Sequence, residues 1–224
     1  MVIKINDQSI KNKYFIVSLK QLCFVLEHFF YTIMQLSKLN RPALLLVDIQ
    51  QGFDNIDYWG GQRNNPDAEV KAGELLRLWR KKSLPVFHIQ HCSTNRASPL
   101  HPSNAGNAIC ECVIPLPGEP VIQKNVNSAF IGTDLEARLD KDKISTLVIV
   151  GLTTDHCIST TTRMAGNLGY GTFLVADATA TFNKRGFDGK NYAAELIHET
   201  ALASLHEEFA TIVTTDSIKQ IINL

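Results

Sequence analysis

The chain has 224 residues, 45% of them hydrophobic and 20% charged, which is long enough to bury one large core. Its 22 basic and 22 acidic side chains cancel, which argues against a nucleic-acid partner and against an anionic membrane surface. The five cysteines are an odd number in a chain that is not small, so we expect no disulfide scaffold and predict a cytoplasmic location.

Residues 1–40 are predicted to be an extension ahead of a single domain over residues 41–224. The apolar stretch Leu22–Met34 is interrupted by Glu27 and His28 and is too short and too polar for a membrane-spanning helix. Either residues 18–36 form an extra helix, or Met34 is the true start and the stretch before it is not part of the native protein.

From residue 41 onward, apolar strand-like runs alternate with stretches that have helical spacing. Near-continuous apolar strands indicate burial on both faces, so we predict a mostly parallel sheet with helices on each side. The predicted fold is α/β, a three-layer α/β/α sandwich around six strands. In chain order the elements are strand Ala43–Ile49, helix Glu69–Lys82, strand Leu84–Gln90, strand Val121–Lys124, helix Asp134–Asp140, strand Thr146–Gly151, helix His156–Leu168, strand Gly171–Asp177, helix Asn191–Phe209 and strand Ala210–Thr214.

Cys157 lies at a predicted strand-to-helix turn, which begins at Gly151 and contains residue types that cap helices. The N–H groups and the positive end of a helix dipole favour an anion, so a thiolate with a lowered pKa is one interpretation. The same N–H groups could stabilise an oxyanion during acyl transfer. The alternative is that Cys157 is a small buried hydrophobe in a turn.

Three chemically active side chains end predicted strands or directly follow them: Asp48, Lys124 and Cys157. In parallel sheets, ligands bind at the carboxyl ends of the strands. A carboxylate or an ammonium is costly to bury alone and becomes tolerable when the two pair. The three residues are therefore a candidate catalytic site, with a buried ion pair at the sheet edge as the alternative.

Three segments together resemble the isochorismatase-like cysteine hydrolase superfamily, which includes nicotinamidases and N-carbamoylsarcosine amidases. They are Val47–Gln50, Gln123–Phe130 and Gly151–Cys157, and the resemblance spans about residues 41–216. It implies a catalytic triad of an aspartate, a lysine and a cysteine. It also implies a cis peptide bond between Leu152 and Thr153, and assembly as a homodimer or homotetramer.

The predicted reaction is hydrolysis of an amide or ureide C–N bond of a small molecule through a thioester. Asp48 takes the thiol proton of Cys157, Lys124 holds the carboxylate, and the backbone N–H groups of Thr153 and Cys157 receive the oxyanion. One alternative is a non-catalytic small-molecule binding protein on the same fold. Another is a vinyl-ether hydrolase of the isochorismatase type. The resemblance implies that isochorismatases proper carry out this reaction without the cysteine.

The chain departs from the nicotinamidase pattern, in which an Asp-x-His segment and a further histidine bind a metal. Here the corresponding region reads His88-Ile-Gln-His91, and residues three apart on a strand face opposite sides. Together with His101 these histidines are a weak metal candidate. We therefore predict no metal and no cofactor.

The pocket walls are predicted from residues near the triad. The long loop from Cys92 to Pro120 is expected to cover the site. Aromatic residues could form an apolar slot for a small or flat substrate, or could pack at an interface between copies of the chain. The predicted substrate-binding residues are Gln50, Phe53, Trp59, Asn127, Phe130 and Thr154.

Overall fold

The computed structural model describes Met34, Leu36 and residues 41–223. The predictions on the extension over residues 1–40 therefore fall, apart from those two positions, outside the described residues. None of the helices in the described part of the chain combines the length and the apolarity needed to cross a bilayer.

A six-stranded sheet with every neighbouring pair parallel forms the middle of the domain. The strand order across the sheet is β3-β2-β1-β4-β5-β8, which confirms the predicted six-stranded sheet. A separate antiparallel hairpin consists of β6 and β7. The strands are β1 Ala43–Val47, β2 Val86–His91, β3 Val121–Lys124, β4 Thr146–Leu152, β5 Gly171–Ala180, β6 Lys184–Arg185, β7 Asn191–Tyr192 and β8 Thr211–Val213.

Helices cover both faces of the sheet, so the predicted three-layer sandwich is correct. Helices α2 and α6 pack together over one face, and α4 and α5 pack together over the other. Leu135 and Leu139 of α3 join the core on the side of α4 and α5. The helices are α1 Ile56–Trp59, α2 Ala68–Lys81, α3 Leu135–Lys141, α4 Ser159–Asn167, α5 Ala194–Leu205 and α6 Thr215–Asn223.

The apolar sequence of the central strands explains this layering. All five residues of β1 are buried, and successive side chains of a strand point to opposite faces. Leu45 and Val47 join the core beside α3, α4 and α5. Leu44 and Leu46 therefore point toward α2 and α6, which fill the other side.

Several predicted ends of helices and strands are wrong, because pairing between strands overrides the local sequence pattern there. The helix predicted over Asn191–Phe209 is shorter, since Asn191 and Tyr192 pair in the β6–β7 hairpin and the helix ends at Leu205. Strand β5 runs three residues past the predicted end at Asp177, because its extra residues pair with β4 beyond an irregularity in register. The hairpin and helices α1 and α6 were not predicted.

The strand order creates a crevice at the carboxyl ends of β1 and β4. From β1 the chain moves outward to β2 and β3, and then returns to place β4 on the other side of β1. The connections that follow β1 and β4 therefore leave in opposite directions. Such a switch point is where open α/β sheets bind ligands.

An ion pair holds the loop before β3 against the sheet. The Arg80 guanidinium donates to both oxygens of Glu119 at 2.8 Å, and His88 Nε2 lies 3.0 Å from the same carboxylate. Burial would raise the pKa of Glu119, but Arg80, the Leu116 N–H and His88 together lower it to about 2. The loop is thus tied to both α2 and β2.

Replacing Glu119 by Gln should lower the free energy of unfolding by about 1.5–3 kcal/mol at neutral pH, because it removes the charged acceptor of these hydrogen bonds. A folded-state pKa of about 2 lies below the unfolded value, so this stability is present above the unfolded pKa and is lost as the pH falls toward 2. Urea unfolding should show the deficit shrinking between about pH 5 and pH 3.

The exposed Glu136 on α3 provides the matched control, since Glu136→Gln makes the same chemical change at the surface. A deficit in Glu119→Gln that stays constant across this pH range would contradict the ionic origin of the stability.

Candidate active site

The switch-point crevice brings together the three residues predicted from the strand ends. Lys124 Nζ lies 2.6 Å from Asp48 Oδ2 and 3.3 Å from Cys157 Sγ. The side chains of Lys124 and Asp48 are both 0% exposed. A single buried ammonium therefore contacts a carboxylate and a thiol, although the catalytic roles of the three residues stay predictions.

Asp48 reaches this position through an unusual backbone conformation. It directly follows β1, has a φ of +53°, and donates its N–H to the Ile89 carbonyl at 2.9 Å. A continued extended strand would point Asp48 to the face opposite Val47. The left-handed conformation, which aspartate tolerates better than most residues, redirects the carboxylate toward Lys124.

Gly151 allows β4 to approach β1 beside Asp48. Its φ is +126°, and a Cβ atom there would lie only 1.9 Å from the Val47 carbonyl oxygen. Only glycine therefore fits this position. One residue further along the chain, the peptide bond between Leu152 and Thr153 is cis, as the resemblance implied.

Cys157 lies in a π-helical turn, Thr154–Ile158, that precedes α4. The predicted helix start at His156 is thus wrong, because α4 begins at Ser159. The interpretation of Cys157 as a thiolate with a lowered pKa, one of the two left open by the sequence, is also contradicted. Burial raises the pKa of Cys157 and the Asp48 charge raises it further, against the opposing effect of Lys124. The resting cysteine is therefore a neutral thiol.

The charges of Asp48 and Lys124 balance each other when the Cys157 thiol is neutral. Burial alone would lower the pKa of Lys124, but Asp48 and Cys157 raise it above its ordinary value, so the lysine is an ammonium. Asp48 Oδ1 is buried and has no hydrogen-bond partner within the described residues. The carboxylate and the sulfur lie within 4.8 Å of each other. An acceptor for the thiol proton is therefore available.

A cavity of about 90 Å³ opens onto Cys157, and three of the predicted pocket residues line it: Phe53, Trp59 and Asn127. The rings of Phe53 and Trp59 are 4.7 Å apart, and the Trp59 indole donates to the Gly52 carbonyl at 2.8 Å. Cys157 Sγ lies 3.8 Å from Asn127 Oδ1. The indole hydrogen bond fixes the aromatic wall next to the sulfur.

The other three predicted substrate-binding residues, Gln50, Phe130 and Thr154, do not line this cavity, and their role stays a prediction. The Gln50 side chain bonds the backbone N–H and carbonyl of His91. Phe130 stacks on Tyr170 in the core, with ring centroids 5.9 Å apart. Thr154 Oγ1 lies 2.9 Å from His198 Nδ1.

Three residues that line the cavity are not among the predicted site residues: His91, Leu100 and His156. Leu100 reaches the cavity from the long loop, and His91 lines it with Nδ1 only 3.2 Å from Lys124 Nζ. The sequence marked His91 only as a metal candidate with His88 and His101. Those two bond elsewhere, to Glu119 and Ser103.

Donor atoms of Asp48, His91 and Cys157 all lie within 4.8 Å of one another, a spacing that could hold a metal ion. The ammonium of Lys124, however, contacts all three side chains. A cation would have to displace a positive charge that is already bound there. The geometry therefore fits an ammonium site better than a metal site.

The chain is similar to known proteins over most of its length. The model of the isochorismatase domain family matches residues 42–217. The isochorismatase family protein YrdC of Bacillus subtilis is 51% identical over 178 residues, covering 80% of this chain and 94% of YrdC. Nicotinamidase 3 of Arabidopsis thaliana is 28% identical over 198 residues, covering 80% and 87%. An isochorismatase-family crystal structure from Chromobacterium violaceum has a TM-score of 0.78 at 39% identity, covering 83% and 95%.

The charge balance of the site predicts opposite effects of two substitutions on the Cys157 thiol. Because the Asp48 charge raises this pKa and Lys124 lowers it, Asp48→Asn should lower the thiol pKa and Lys124→Met should raise it. The pH dependence of iodoacetamide labelling, followed on the peptide that contains Cys157, measures both shifts. Circular dichroism serves as the control for folding, and shifts of the same sign in both variants would contradict the charge assignment.

Proposed function

Since the chain belongs to the isochorismatase family and is a hydrolase, we propose that it cleaves the C–N bond of a small amide or ureide through a thioester on Cys157. The observation that carries this proposal is the Lys124 ammonium, which contacts both Asp48 and the thiol. A relative of similar length is named a nicotinamidase, and this name supports amide hydrolysis.

The first half of the proposed reaction starts from a neutral thiol. Asp48 takes the proton of Cys157 as the sulfur attacks the carbonyl carbon, so no free thiolate is needed beforehand. The backbone N–H groups of Thr153 and Cys157 receive the oxyanion. As the C–N bond breaks, Asp48 returns the proton to the leaving nitrogen, and the acyl group remains on sulfur.

The second half reverses the proton movement. Asp48 takes a proton from a water molecule, whose oxygen attacks the thioester carbon. The C–S bond breaks, the sulfur regains a proton, and a carboxylic or carbamic acid leaves. Throughout, Lys124 offsets the negative charge that moves between the carboxylate and the sulfur.

The cavity supports a small, uncharged substrate. Its volume of about 90 Å³ has room for few heavy atoms, and Phe53 and Trp59 line it. The Asp48 carboxylate in its lining is already paired with the Lys124 ammonium, so the lining residues offer no unpaired charge to bind a charged substrate. We therefore propose a neutral primary amide or ureide with a flat or apolar substituent.

A vinyl-ether hydrolase of the isochorismatase type is the second candidate, because the family includes such proteins by name. The buried cysteine between an ammonium and a carboxylate favours the amide reaction. The two candidates differ in whether turnover requires the sulfur.

Cys157→Ala should abolish ammonia release from a panel of neutral carboxamides and ureides, with a loss of at least about 10³-fold, because no nucleophile remains. Ammonia is measured in a coupled assay beside the wild type. Cys112→Ala, at an exposed cysteine, is the matched control and should keep full activity.

Two results would contradict the proposal. One is ammonia release that survives in Cys157→Ala. The other is a wild type that releases no ammonia, together with vinyl-ether hydrolysis that is equally fast in the wild type and in Cys157→Ala.

A further inference from the structure

We propose that His91 is a positioning residue: its neutral imidazole holds the Lys124 ammonium between Asp48 and Cys157, and protonation of that imidazole switches the site off. This inference rests on the proposed function of the same three residues. It assigns His91 a role that the sequence pattern did not suggest.

The hydrogen-bond inventory of Lys124 is the first argument. A lysine ammonium has three N–H donors and no acceptor. Three acceptors surround Nζ: Asp48 Oδ2 at 2.6 Å, His91 Nδ1 at 3.2 Å and Cys157 Sγ at 3.3 Å. Each donor therefore has one acceptor, and loss of any of them would leave a buried N–H unpaired or let the ammonium turn.

The protonation state of His91 follows from the same contact. Because Lys124 can only donate, Nδ1 must accept, and the imidazole proton must lie on Nε2. Burial lowers the pKa of His91, and the Lys124 charge lowers it further against the opposing effect of Asp48. An imidazolium could not accept this hydrogen bond and would repel the ammonium.

The backbone of His91 is held firmly, as a positioning role requires. His91 and Lys124 are register partners on the neighbouring strands β2 and β3. The Gln50 side chain accepts from the His91 N–H at 2.8 Å and donates to its carbonyl at 3.1 Å. Asn107 Nδ2 donates to the same carbonyl at 2.9 Å. The backbone from which the imidazole extends is therefore fixed beside Lys124.

Other titratable groups around His91 must be separated from it in any pH experiment. Lys124 faces it from β3, Asp48 from the end of β1, and Cys157 from the π-helical turn. His156 of the same turn also lines the cavity. A loss of activity at low pH could thus arise from His91 or from one of these neighbours.

Three substitutions separate the roles. His91→Leu removes the acceptor and should lower kcat about 10²-fold with little change in KM, because the ammonium is misplaced. His91→Asn restores an oxygen acceptor that cannot be protonated, so it should recover most of kcat and lose the acidic limb of the wild-type pH profile. His101→Asn is the matched control and should leave activity and profile unchanged.

Labelling of Cys157 by iodoacetamide tests the same idea without turnover, so failure of the proposed function would not hide the answer. His91→Leu should raise the thiol pKa and His91→Asn should restore it, since the ammonium again faces the sulfur. The inference is overturned if His91→Leu matches the wild type in labelling, or if His91→Asn is as impaired as His91→Leu. It is also overturned if the acidic limb persists in His91→Asn and disappears in His156→Asn.

Discussion

The burial of one ammonium is the constraint on which the whole site depends. A lysine with no exposed side-chain surface is very costly unless its charge and its three protons are all matched. The acceptors come from three different places: the end of β1, the end of β2 and the turn after β4. The strands must therefore keep their order and register for the cluster to exist.

The same constraint explains the local backbone and the resting chemistry. Asp48 adopts a left-handed conformation and Gly151 lets β4 approach β1, so that the carboxylate and the sulfur reach the same ammonium. One positive charge balances one negative charge, which leaves the thiol protonated in a buried place. The proposed reaction therefore begins with a proton transfer from the sulfur to the carboxylate, not with a preformed thiolate.

Much of this arrangement was predictable from the sequence, since apolar runs fix parallel strands and costly polar residues at their ends mark the crevice. The thiol pKa was not, because it depends on burial and on charges that are far apart in the chain. His91 was missed as a Lys124 partner. The alternation of side chains along a strand shows which face of the sheet a residue is on, but it does not show which residue of the next strand lies beside it. The predicted helix ends were wrong where residues pair with another strand instead, as Asn191 does in the hairpin. Action without a cofactor, homo-oligomeric assembly and cytoplasmic location stay predictions.

The central claim is that a substrate carbonyl becomes bonded to Cys157, and capture of that bond is its most direct test. A reaction with a slow amide substrate, stopped with acid and analysed by mass spectrometry, should show the acyl mass on the peptide that contains Cys157. The added mass should disappear with time at neutral pH as water releases the acid. Steady turnover of the amide with no acyl mass on Cys157 at any time, or with the mass on another residue, would contradict the account.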